Sequence, residues 1–178
     1  MAEMNDSFNE VTAEMLKVIS DYDSVTGFQG AYNIRQDSMC AGRKNSENIT
    51  IESKTDKPGI NIRVKPGTKG ETVYIPACVT HSNVDDLVYN DFFIGAGADV
   101  VIVAGCGVHT SNGEPARHNG IHRFFLGKGS RVKYLEKHVG LGQGFGLRSI
   151  DPVTEAYLDE DSVLEMDTSQ IGGVDRTK

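Results

Sequence analysis

Ile94-Gly95-Ala96-Gly97-Ala98-Asp99-Val100 is followed, thirty-two residues on, by Leu126-Gly127-Lys128-Gly129-Ser130-Arg131-Val132. After another thirty-two comes a looser copy, Leu158-Asp159-Glu160-Asp161-Ser162-Val163-Leu164. Each copy closes an apolar strand, turns through Gly or polar residues, and opens a new β-rich segment. Tyr89–Ile94, Ile121–Leu126 and Glu155–Leu158 precede the turns; Val100–Ala104, Val132–Leu135 and Val163–Met166 follow them. A turn-and-strand unit at fixed period points to stacked rungs, because one rung can bury its inner face only against its neighbours. The chain therefore reads as mainly β, a β-solenoid, with a meander or jelly roll of similar hairpins as the alternative.

Upstream of the repeat, Asn48-Ile49-Thr50-Ile51-Glu52 and Ile60-Asn61-Ile62-Arg63-Val64 alternate apolar and polar residues, as half-buried strands do. Lys57-Pro58-Gly59 and Lys65-Pro66-Gly67 punctuate them as turns. Polar Arg35–Glu47 between Gly30 and these strands reads as a loop. The N-terminus reads as one short α-helix. Ser7 and Glu10 fit a capping box, and Phe8, Val11, Met15, Val18 and Tyr22 form an apolar stripe ending near Asp23. The stripe is expected to pack on the body of the same chain. Residues 1–29 are thus helix and linker, and 30–178 a β-helix core. Strand-like sequence runs on from Val163 to Gly173 without a polar cap, so the solenoid is expected to be incomplete at its C-terminal end.

Composition narrows the function classes. The 178 residues carry 25 acidic and 18 basic side chains, a formal net charge of -7, which argues against a nucleic-acid partner. The longest apolar run, Val100–Ala104, is strand-sized, so no membrane span is expected. Three scattered cysteines behind a polar N-terminus suggest a reducing, cytoplasmic setting rather than a disulfide framework. The absence of Trp disfavours a carbohydrate-binding solenoid.

Four of five histidines fall between positions 109 and 138. Cys106, His109, His118 and His122 have intervals that zinc and iron sites use, although Ser111–Gly120 reads as a mobile loop that would have to fold inward. Cys106, between two glycines, otherwise reads as a small buried residue. Gly140-Leu141-Gly142-Gln143-Gly144-Phe145-Gly146 lacks the strand-to-helix setting of a phosphate loop and reads as a tightly turning connection. Asp85-Asp86 and Asp159-Glu160-Asp161 read as solvated turn carboxylates. A Walker-type lysine and a Gly-x-Ser-x-Gly elbow are both missing.

Longer motifs occur in order: Gly30-Ala31-Tyr32-Asn33-Ile34-Arg35, Asp56-Lys57-Pro58-Gly59-Ile60, Val64-Lys65-Pro66-Gly67-Thr68 and Val73-Tyr74-Ile75-Pro76-Ala77. Asp86-Leu87-Val88-Tyr89-Asn90-Asp91-Phe92, Ile102 to His109, His118-Asn119-Gly120-Ile121-His122 and Tyr134-Leu135-Glu136-Lys137-His138 follow. Together, from Gly30 onward, they resemble the short SufB/SufD family of iron–sulfur cluster assembly proteins. The resemblance implies a right-handed parallel β-helix, in agreement with the repeat. It further implies a cytoplasmic scaffold, not an enzyme, that forms a homodimer or a SufB/SufD-type heterodimer and works with a SufC-like ABC ATPase. Family members extend past the segment matching Ile171-Gly172-Gly173-Val174-Asp175, so the residues of that later part are not carried over. The matching positions Cys106, His109, Glu136 and His138 are candidates for binding an iron–sulfur cluster or iron transiently, or nothing in this span. Cys106, His109, His118 and His122 around one ion would instead make a His/Cys metal-binding all-β enzyme.

Overall fold

The computed structural model describes residues 6–178. The thirty-two-residue repeat is a stack of rungs, each contributing one strand to each of two facing sheets, about four turns in all. In the first sheet, parallel pairing links β1 (Ala31–Gln36), β5 (Lys69–Val79), β7 (Asp99–His109), β9 (Arg131–Leu141) and β12 (Val163–Gly172). In the second it links β4 (Gly59–Val64), β6 (Asp85–Ile94), β8 (Ala116–Leu126) and then β10 (Arg148–Ile150) and β11 (Val153–Leu158), with β13 (Arg176–Thr177) beside β10. Ile94 pairs with Leu126, and Leu126 with Leu158, as the repeat requires. Val64, which pairs with Ile94, adds an earlier copy that the Pro-containing turn Lys65–Thr68 disguises.

The turn glycines are needed for their backbone conformation. Gly67, Gly97 and Gly129 have φ of 73°, 68° and 67°, and Asp161 takes the same corner at 58°. Their N–H groups bond up the stack: Gly67 donates to Ala96, Gly97 to Lys128 and Gly129 to Glu160. Between the sheets, strand alternation turns every second side chain into a closed lumen. Its turn end is apolar, with Phe92 stacked on Phe124 at 4.4 Å between ring centres and Tyr134 against both. Outside, Phe93, Phe125 and Tyr157 stack at 5.1 and 5.0 Å, and Arg63 lies over Phe93.

Arg35–Glu47 is not a loop. β1 and β2 (Met39–Lys44) form an antiparallel hairpin through Asp37 and Ser38, both at positive φ. β3 (Ile49–Ser53) and β4 form a second one. These hairpins close the N-terminal edges of the two sheets, the positions where unpaired strand edges invite association. The polar stretch covers the end of β1 and all of β2, and it hid them because Arg35 enters the lumen to pair with buried Asp86. At the other end β11 is exposed along its whole length and β12 nearly so, leaving Tyr157, Leu158, Met166 and Ile171 uncovered.

Helix α1 (Glu10–Ile19) is shorter and capped differently from the sequence expectation. Asn9 is the N-cap, its side chain accepting from the Thr12 N–H at 2.9 Å, while Ser7 instead donates its N–H to the Ala41 carbonyl. The helix stops at Ser20 because Asp21 turns to φ 53°. Its buried face is Thr12, Met15, Leu16 and Ile19, flanked by Phe8, Val11 and Tyr22, and Val18 points to solvent. That face lies across the outer side of β5, β7 and β9, as intramolecular packing required. Gly105 and Gly107 make the approach possible: a Cβ there would meet Ile19 and Met15.

Candidate functional site

The same alternation that buries Phe92 and Phe124 also turns polar residues inward, forming a belt between the apolar turn end and a second apolar cluster around Val79, Val108 and Ile150. Strand β7 contributes Cys106, β9 Glu136 and His138, β6 Asp86 and Asn90, and β8 His118 and His122, all buried. Parallel register stacks them: Cys106 pairs with His138, Asp86 with His118, and Asn90 with His122.

Cys106, Glu136 and His138 form the group that could share one metal ion, their ligand atoms lying within 4.8 Å of one another. Glu136 Oε1 is the hub. Tyr134 Oη donates to it at 3.3 Å, Cys106 Sγ stands 3.9 Å away, and His138 Nε2 3.5 Å away. The last of these is an ion-pair distance without hydrogen-bond alignment, so His138 Nε2 has no hydrogen-bond partner. The other imidazole nitrogen, Nδ1, meets the Gln170 amide at 2.8 Å, which orients the ring. Burial pushes the Cys106 thiol well above its usual range, and the adjacent Glu136 carboxylate pushes it further. Burial would raise Glu136 too, but the surrounding imidazoles of His138, His122 and His118 outweigh it and hold the carboxyl low. Thiol, carboxylate and imidazole are donors that suit iron or zinc, and an orphaned buried nitrogen aimed at the carboxylate fits such an occupant.

Two histidines occupy the facing sheet. His118 Nδ1 lies 3.0 Å from Asp86 Oδ2, and Asp86 also receives Arg35 Nη2 at 2.7 Å and Ser38 Oγ at 2.9 Å. Burial opposes ionisation of Asp86, yet His118 and Arg35 overcome it and hold the carboxyl well below the usual range. His122 sits between Phe92 and Tyr134, its Nδ1 without a partner, and burial lowers it to about 4. Gly120 separates the two imidazoles, and a Cβ there would stand 2.6 Å from His122 Nε2 and 3.5 Å from His118 Nε2.

The sequence-based set of Cys106, His109, His118 and His122 does not converge within that 4.8 Å group. His109 is three residues from Cys106 on one strand, and odd spacing turns it to the opposite face. There it packs beside Gly142, its Nδ1 unpartnered. Residues 116–120 belong to strand β8, so His118 is fixed inward and not carried by a mobile loop. Thr110–Pro115 is the actual corner, and Gly142, Gly144 and Gly146 pack directly over it, giving the tight connection expected there. Asp86, read as a solvated turn carboxylate, is fully buried. Among the described residues no helix is long and apolar enough to cross a membrane. No family model matches the chain, and neither curated proteins nor solved structures yield a significant match.

Proposed function

We propose that this chain is a scaffold component of a SUF-type iron–sulfur cluster assembly complex and that Cys106, Glu136 and His138 hold iron, alone or as part of a cluster, transiently. The observation that carries this reading is the buried triad itself. It joins a soft thiol, a carboxylate and an imidazole with an uncommitted nitrogen, inside the solenoid that the SufB/SufD resemblance implies. Iron, alone or in a cluster, is cargo here. Cys106 supplies a sulfur ligand once its proton leaves, Glu136 supplies the charge that favours a cation, Gln170 fixes the His138 ring and Tyr134 fixes Glu136. The role is binding rather than turnover. ATP hydrolysis belongs to a SufC-like ABC ATPase partner, and assembly is as a homodimer or a SufB/SufD-type heterodimer in the cytoplasm.

Anaerobic reconstitution with ferrous iron and sulfide tests this, with iron and labile sulfide counted per chain. Labile iron should be retained by the wild type and lost in Cys106→Ser and His138→Gln variants whose circular dichroism is unchanged. Equal retention in all three would sink the assignment. A single tightly held ion, released by His118→Ala or His122→Ala instead, would favour the metal-enzyme reading.

A further inference from the structure

The lumen has a second chemically distinctive feature at its N-terminal mouth. Between the β1–β2 hairpin and the turn that joins β3 to β4 lies a cavity of about 220 Å³. Arg35, Arg43, Lys54 and Lys57 line it together with Ser53 and the Cys40 thiol, and none of its lining residues is acidic. In a chain of net charge -7, four cations converge on one small concavity.

Two of those charges are balanced from behind. Asp86 pairs with Arg35, and Asp91 with Lys54 while it also serves Arg123; neither carboxylate lines the cavity. The other two have no carboxylate partner among the described residues. Arg43 donates Nε to Asn33 Oδ1 at 2.8 Å and Nη2 to Ser53 Oγ at 3.0 Å. Lys57 Nζ lies 4.5 Å from the centre of the Tyr89 ring. Arg43 and Lys57 therefore line the space without a carboxylate to balance them, and Asp91 divides its charge between Lys54 and Arg123. The donors are also held in place. The Lys54 side chain is 6% exposed and its ammonium gives two hydrogen bonds, to Asn61 and Asp91, out of three it can make. Ser53 accepts from Arg43 and keeps its own hydroxyl hydrogen to donate.

We propose that this mouth binds a small dianion of the phosphate class, either inorganic phosphate or a compact phosphomonoester. A guanidinium with unused N–H groups offers the planar fork that such oxyanions accept, while the two ammonium groups supply charge without directional demand. The size sets an upper limit. The cavity falls below the ~300 Å³ at which sites that bury a drug-sized ligand begin, so it encloses a phosphate-sized group and no more. Metal cations are repelled. The site is separate from the buried triad and stands whether or not the cluster-assembly reading does.

Cys40 supplies the reporter. It is the partly accessible thiol, whereas Cys78 is sealed under α1 and Cys106 lies in the lumen. Alkylation by iodoacetamide, a neutral reagent, therefore reads occupancy at the mouth. Inorganic phosphate is expected to slow alkylation of Cys40 saturably, about tenfold at roughly ten times its dissociation constant. Chloride at matched ionic strength should not, and phosphorus-31 resonances of phosphate should broaden in the presence of the unmodified protein. An Arg43→Gln/Lys57→Gln double variant should lose the protection while keeping its circular dichroism. Repeating the titration with glycerol phosphate separates the sources: the ligand that protects at lower concentration is the one the site is built for. Protection by chloride equal to that by phosphate, protection that survives in the double variant, or unbroadened phosphate resonances would each overturn the proposal.

Discussion

Replacing Asp86 by Asn removes one charge and almost no volume, yet it strikes the most densely bonded carboxylate in the lumen. The side chain is fully buried and takes Arg35 through both Nε and Nη2 at 2.7–3.1 Å, Ser38 Oγ at 2.9 Å and His118 Nδ1 at 3.0 Å. An amide keeps one acceptor and turns an NH₂ toward a neighbour that is itself a donor. Arg35, whose side chain is 13% exposed, is left without its counter-charge. Breaking a buried pair from one side costs about 3–5 kcal/mol. Arg35 borders the cavity at the mouth, where water can reach it, so the lower end, about 3 kcal/mol, is expected. That is a large part of the 5–15 kcal/mol that typically holds a domain together. Urea denaturation at pH 7 measures it. Combining Asp86→Asn with Arg35→Met should return at least about 1 kcal/mol, because the stranded charge is gone. The pH profile is a second reading. A carboxyl depressed in the folded state stabilises above its unfolded pKa of about 3.9, and that stability is lost as pH falls through the folded value. The wild type should therefore lose about 1.4 kcal/mol per pH unit per proton taken up on acidification, and Asp86→Asn should lack that one proton's contribution. A loss under about 1 kcal/mol at pH 7, or an unchanged acid limb, would refute the reasoning.

Gly97→Ala should cost about 1–2 kcal/mol by placing a Cβ at φ 68°, whereas Asp161→Gly, which relieves the same corner in the last rung, should gain about 0.5–1 kcal/mol; shifts in urea midpoint read both. Gly105→Val drives a side chain into Ile19 and should lift α1 from the sheet, so that Cys78 reacts with a thiol reagent alongside Cys40 in place of Cys40 alone. His122 should remain neutral until about pH 4, as its imidazole proton resonances would show. With the folded value below the ordinary 6.5, stability falls as pH drops from about 6.5 to about 4, by roughly 3 kcal/mol, and His122→Gln should flatten that interval. A His122 that titrates near 6.5 would mean that water enters the lumen.

The repeat held more of the site than its turns suggest. Cys106 and His138, Asp86 and His118, and Asn90 and His122 are each separated by the thirty-two residues that separate Ile94 from Leu126. Extending the offset from the turns to the polar residues would have paired them. Choosing ligands by nearness along the chain instead brought in His109, which faces the wrong way on β7. Alternation in β8 was also present, with His118, Gly120, His122, Phe124 and Leu126 on one face, but the polar run before Gly120 masks it as a loop. Which residues meet across the lumen, such as Tyr134 against His122, depends on the separation of two sheets and leaves no local signal. The cationic mouth escapes for a related reason: Arg35, Arg43, Lys54 and Lys57 belong to two hairpins, one of which read as a loop.

Helix α1 rests on β5, β7 and β9, three successive rungs, and this changes the statistics of unwinding. In a linear array whose units touch only their neighbours, opening proceeds one unit at a time and the correlation length is short. A splint across three units adds coupling beyond nearest neighbours, so those units open together or not at all. The rung formed by β11 and β12 lies outside the splint. Fraying can begin there and run only as far as β9, where the next step must detach the helix as well.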